Sequence, residues 1–173
     1  MSHQTAALPI AWWSLRILRV LNWVWGLTIL AMLFATLTAP DWTLTALGAK
    51  PGHPLRSALP GLQAVALFGL VGIFFNDAIL KRLLRIVDTV RAGDPFVAAN
   101  AYRLHSIAWF LLGLQCLSLV IGAIGKAIST PEYPIHLDAG FSTSGWLAVV
   151  LTFVLARVFA EGTVMRADLQ GTV

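Results

Sequence analysis

Four long apolar runs, separated by short polar stretches, set the pattern of the chain. The first is uninterrupted from Val20 to Leu37 and follows Arg16 and Arg19. The second runs from Gly61 to Leu80, with Asn76 and Asp77 as its only strongly polar members. The third, Ile107 to Gly125, carries no charge, and the fourth, from about Gly145 to Phe159, contains Arg157. A helix needs about 20 apolar residues to cross a bilayer. The runs therefore predict spans at about 17–38, 60–80, 106–127 and 144–161. The first run is longer than the roughly 7–15-residue core of a signal peptide. Trp12 and Trp13 are also foreign to a basic leader, so this run is read as an uncleaved span. The expected fold is all-α: an integral membrane four-helix bundle, a single transmembrane domain over residues 1–173.

The polar stretches differ from one another. Ala39 to Leu59 holds Pro40, Pro51, Gly52 and Pro54, and Ser129 to Ser144 holds Pro131 and Pro134. Both are expected to be irregular loops without helix or strand periodicity. After the second span the pattern is different. In Ala78 to Ala92, Leu80, Leu83, Leu84, Val87 and Val90 keep helical spacing, while Lys81, Arg82, Arg85, Asp88 and Arg91 take the other faces. The helix should therefore continue past the membrane to Gly93-Asp94-Pro95. Glycine suits a helix C′ position, Asp94 an N-cap and Pro95 the first helical position. The third helix should start there, which makes residues 81–105 a hairpin outside the bilayer. No proline interrupts Val158 to Leu169, so the fourth helix is expected to extend beside it.

Charge placement orients this arrangement. Apolar residues make up 58% of the chain and charged ones 12%, against about 25% charged in a soluble domain. That composition excludes a soluble enzyme, a disordered chain and, with Cys116 alone, a disulfide scaffold. With both termini cytoplasmic, nine of the twelve Lys and Arg residues lie inside and only Lys50, Arg56 and Lys126 outside. The positive-inside rule prefers this orientation. Trp12, Trp13 and Trp109 then fall near inner boundaries and Trp42 and Trp146 near outer ones, with Trp23, Trp25 and Cys116 as packing residues.

Two sets of residues carry candidate chemistry. Asn22, Asp77, Arg157 and Glu161 fall at similar depth near the cytoplasmic ends of the spans and are expected to form an intramembrane polar cluster. Gln115, Ser118 and Thr152 are candidates for interhelical hydrogen bonds, and Ser118 with Gly122 makes one small-xxx-small pair. Arg82, Arg85, Arg91, Asp94, Phe96, Asn100, Arg103, Arg166 and Asp168 form a candidate cytoplasmic partner surface. The same basic residues suit anionic headgroups, so the lipid bilayer is itself an expected partner. The four histidines lack ligand spacing, and no phosphate loop, nucleophile elbow or dinucleotide fingerprint occurs. No catalytic, metal or cofactor site is expected.

Leu83 to Trp109, LLRIVDTVRAGDPFVAANAYRLHSIAW, and Leu155 to Val173, LARVFAEGTVMRADLQGTV, resemble the small bacterial inner-membrane proteins catalogued as domain of unknown function 2975. The most specific matches are Gly93-Asp94-Pro95-Phe96, Asn100, Asp168-Leu169 and Thr172-Val173. The resemblance implies a four-span protein of the bacterial inner membrane with no agreed activity. Genes of the family often lie beside one for a small helix-turn-helix regulator. The expected function is accordingly a non-enzymatic interaction protein that binds or restrains such a cytoplasmic DNA-binding partner, without itself binding nucleic acid. A small transporter, channel or export component working through the polar cluster is the alternative, and homo-oligomerisation would let small subunits form a pore.

Overall fold

The computed structural model describes residues 4–46, 55–129 and 137–171, with side chains over 8–46, 56–129 and 137–166. The middle of each expected loop, with Lys50 and Glu132, lies outside these residues, as do Thr172, Val173 and the side chain of Asp168. Every regular element described is an α-helix: α1 (Gln4–Thr38), α2 (Pro40–Ala46), α3 (Leu55–Arg91), α4 (Ala98–Ile128) and α5 (Thr143–Gly171). All four long helices are long and apolar enough to cross a membrane. Within the most apolar stretch of each, only 11–22% of residues are buried inside the chain. Leu21, Val24, Phe34, Val150 and Leu151 are among the large apolar residues left facing outward. A water-soluble monomer rarely exposes such continuous apolar area; the acyl chains of a bilayer cover it without penalty. Trp25 and Cys116, expected as packing residues, belong to this outward surface. The 37 residues of α3 reach about 55 Å at 1.5 Å each, well beyond a hydrocarbon core of about 30 Å.

The chain divides into two compact units, one of Met1–Asn22, Phe75–Gly113 and Ser142–Val173, the other of Trp23–Phe74 and Leu114–Phe141. The first, the hairpin unit, holds the α3–α4 connection. In the second unit Gly26 lets α1 approach Ile73 of α3, and Trp23 meets Phe74 edge to face at 5.7 Å. The Gln63 amide donates to the Thr36 carbonyl at 3.3 Å, tying the same two helices. The chain after Thr38 corrects the expected irregular loop, because Pro40–Ala46 is helical. Pro40 is preset for the first helical position, Asp41 suits the positive N-terminal end, and Thr43 and Leu44 are buried. The signal is too short for helical periodicity to show.

Ser118 also departs from expectation. Its hydroxyl donates to the Gly140 carbonyl at 3.1 Å and accepts from the Gly140 N–H at 3.0 Å. Gly122, one turn on, lies so close to Ala139 and Gly140 that a Cβ there would come within 2.8 Å of their backbone. The small pair therefore seats the 137–140 segment against α4 rather than a second helix. Thr152 bonds back to Ala148 of its own helix at 2.7 Å, as hydroxyls inside helices commonly do.

Candidate functional site

The α3–α4 connection is built from the helix stop outward. Gly93 takes a φ of +83°, where a Cβ is disfavoured. Its N–H donates to the Val90 carbonyl and the Asp94 N–H to the Thr89 carbonyl, both at 3.0 Å. These are the two bonds of a Schellman ending, with Gly93 at C′ as the sequence predicts. The restart differs from expectation: α4 begins at Ala98, not at Pro95. Asp94 is not an N-cap; it completes the Schellman ending and its carboxylate pairs with Arg166 of α5.

Asn100 explains the three extra residues. Its side chain is fully buried, at 0% exposure. Its amide N–H₂ donates to the Thr89 hydroxyl at 2.7 Å and to the Pro95 carbonyl at 2.9 Å. Its carbonyl accepts from the Arg103 guanidinium at 2.7 Å, and Arg103 also donates to the Arg85 carbonyl at 3.3 Å. One side chain thus joins the end of α3, the connecting residues and the first turn of α4. A buried amide with several partners is costly to disturb, since each orphaned group loses its hydration as well. Asn100 is therefore a structural centre of the hairpin and not part of its outer surface.

Other members of the predicted surface turn out to serve internal contacts. Phe96 stacks on Phe159 with centroids 5.4 Å apart and covers Gly162, docking the connection onto α5. Arg82 lies over the Phe110 ring at 4.6 Å and donates to the Ala78 carbonyl at 2.9 Å. Arg91 reaches the Trp12 ring, 5.5 Å from its centroid; Arg16 covers that ring at 3.7 Å. Trp12 also donates its indole N–H to Asp88 at 3.0 Å, which makes it a clasp between α1 and α3. Arg85 is exposed and makes no ion pair among the described residues.

The structure divides the predicted polar cluster between two places. Asp77, with its side chain 5% exposed, accepts from Arg19 Nε and Lys81 Nζ, both at 2.7 Å. Beside it the Asn76 amide donates to Asn22 at 2.9 Å. Arg157 pairs along its own helix with Glu161 at 2.7 Å, and both face outward, 78% and 59% exposed. A buried carboxylate needs counter-charges, and α1 and α3 supply them without α5. The four residues are therefore an α1–α3 polar core and a separate surface pair. Lys81 is legible as a partner from its four-residue spacing; Arg19, 58 residues away, leaves no such local signal.

Between α4 and α5 lies a groove of about 630 Å³, floored by Ala101, Ala156 and Ala160 and flanked by Tyr102, His105 and Arg157. The Trp109 indole donates to His105 Nε2 at 3.1 Å, and both rings meet Phe153 edge to face.

The residues that build this hairpin fall within a longer match. A family model described as protein of unknown function (DUF2975) matches residues 59–173. The chain belongs to that family. The match includes the whole hairpin and α5, so the contacts of Asn100, Asp94 and Phe96 lie inside the family region. Comparison with curated proteins and with solved structures found no match.

Proposed function

We propose that the chain is a non-enzymatic interaction protein of the bacterial inner membrane, with both termini cytoplasmic. Its α3–α4 hairpin and the end of α5 bind or restrain a cytoplasmic partner such as a small helix-turn-helix regulator. The observation that carries this reading is the construction around Asn100. A multi-pass protein needs only a short turn between two spans, yet here buried hydrogen bonds, a ring stack and the Asp94–Arg166 pair build a fixed platform. Such a platform holds Arg85, Arg91 and Tyr102 outward at fixed spacing, and preorganised side chains lose less entropy on binding. The charge distribution supports the cytoplasmic assignment, because nine of the twelve basic residues share that side.

The test is co-expression of the full chain with the helix-turn-helix protein encoded beside such genes, followed by purification in detergent. The regulator should co-purify with the wild type. Arg85→Glu with Arg91→Glu, or removal of 168–173, should abolish capture while the protein stays in the membrane fraction. Equal capture by the charge-reversed protein, or no capture together with solute flux in liposomes, overturns the reading.

A further inference from the structure

A second recess lies between α3 and α4, with a volume of about 300 Å³. It is lined by Lys81, Arg82, Arg85, Tyr102, Arg103 and Ser106. Four cations and two hydroxyls make up this wall, with no carboxylate among the described residues that line it. The contacts already described hold most of the cations while engaging only part of each. Arg82 and Arg103 make their described hydrogen bonds through Nη1 alone. A guanidinium has five N–H donors, so each retains a free edge. Lys81 shares its charge with the buried Asp77, and Arg85 has no acidic partner among the described residues.

The depth of the recess narrows the ligand. Lys81 directly follows the second apolar run, and Ser106 directly precedes the third. The recess therefore opens at the level where hydrocarbon gives way to headgroups. Trp109, exposed and three residues into the apolar run, is placed as an interfacial anchor. Forked guanidinium donors suit tetrahedral oxyanions, and basic pockets between spanning helices suit anionic headgroups.

We propose that this recess is a phosphodiester-binding site that takes the headgroup of an anionic lipid, with Arg85 and Ser106 as its free donors. The site shares Arg85 and Tyr102 with the proposed partner surface, but its ligand approaches from the bilayer, so lipid retention is read with no protein partner present.

Full-length protein in detergent, followed by native mass spectrometry, tests this with phosphatidylglycerol and phosphatidylcholine as probes and inorganic phosphate as competitor. Phosphatidylglycerol should be retained in preference to phosphatidylcholine. Arg85→Gln should weaken that retention about fivefold, the effect of one basic residue at the surface. Ser106→Ala should weaken it further, Arg85→Lys should keep most of it, and Arg56→Gln on the other unit should leave it unchanged. Retention that phosphate does not displace identifies the lipid as the source. Displacement by phosphate, lost in the same variants, keeps the phosphate chemistry but assigns a free anion. Equal retention of both lipids overturns the proposal, and so does a loss in Arg85→Gln no larger than in Arg56→Gln.

Discussion

Arg19 of α1 donates Nε to Asp77 of α3 at 2.7 Å, and the carboxylate it meets is almost fully enclosed while the guanidinium stays about two-fifths exposed. The asymmetry decides which partner is costly to remove. Without Asp77, Arg19 and Lys81 rehydrate; without the cations, a negative charge stays buried.

The first prediction follows from that difference. Arg19→Ala alone leaves Lys81 on Asp77 and should have a small effect. The Arg19→Ala, Lys81→Ala double variant removes the two described ion-pair partners of a buried carboxylate and should lose about 3 kcal/mol, as for a broken buried pair. Adding Asp77→Asn to that double variant should restore most of the loss. Unfolding in mixed micelles of rising SDS content measures the series; a triple variant no more stable than the double contradicts the assignment.

Asn100 supports the second prediction. Asn100→Ala removes three described hydrogen bonds at a fully buried position. It should lose about 1–3 kcal/mol and free the connection between α3 and α4. Thr89→Val, which takes away one of those acceptors, should lose less. Arg91 and Arg103 bracket the site, so limited trypsin digestion reports the loosening directly as faster cleavage in Asn100→Ala.

Local signals in the sequence locate the helices and the stop at Gly93 well, because apolar run length and a glycine requiring positive φ are properties of neighbouring residues. Asp94 reads equally well as an N-cap; its bond to Thr89 in the Schellman ending and its side-chain contact with Arg166, 72 positions away, give it a different role. Asn100 and Phe96 look like free surface residues because they sit in a polar stretch; the burial of Asn100 and the contact of the still part-exposed Phe96 with Phe159 arise only after the chain folds back. Arg157 and Asp77 share a depth but face different ways, and depth is all that counting along a helix provides. Outward-facing Trp25 illustrates the same limit, since apolar residues on a membrane helix face lipid as readily as protein.

The 137–140 segment yields the third prediction. Ser118→Ala removes both hydrogen bonds to Gly140 and should cost about 1–3 kcal/mol. Gly122→Ala puts a methyl group within 2.8 Å of backbone atoms that cannot rotate away. It should cost about as much through overpacking. In both variants the amides of Ala139 and Gly140 should exchange hydrogen faster than in the wild type, with α5 amides unaffected.

Two contacts hold the connection to α5, and their physics separates them in the fourth prediction. Asp94 and Arg166 are each about two-fifths exposed, so their pairing contributes up to about 1 kcal/mol and weakens as salt screens it. Phe96 on Phe159 is an apolar contact, which moderate salt does not weaken. Asp94→Asn should therefore loosen α5 at low ionic strength and match the wild type near 1 M salt, where the screening length falls to about 3 Å. Phe96→Ala should loosen it at every salt concentration. Exchanging the pair as Asp94→Arg with Arg166→Asp should recover the wild-type behaviour at low salt. Hydrogen exchange of the α5 amides around Gly162 measures all three. A salt-independent effect of Asp94→Asn would mean that the Asp94 side chain acts through something other than its charge on Arg166, since the Schellman bond from its backbone N–H survives the substitution.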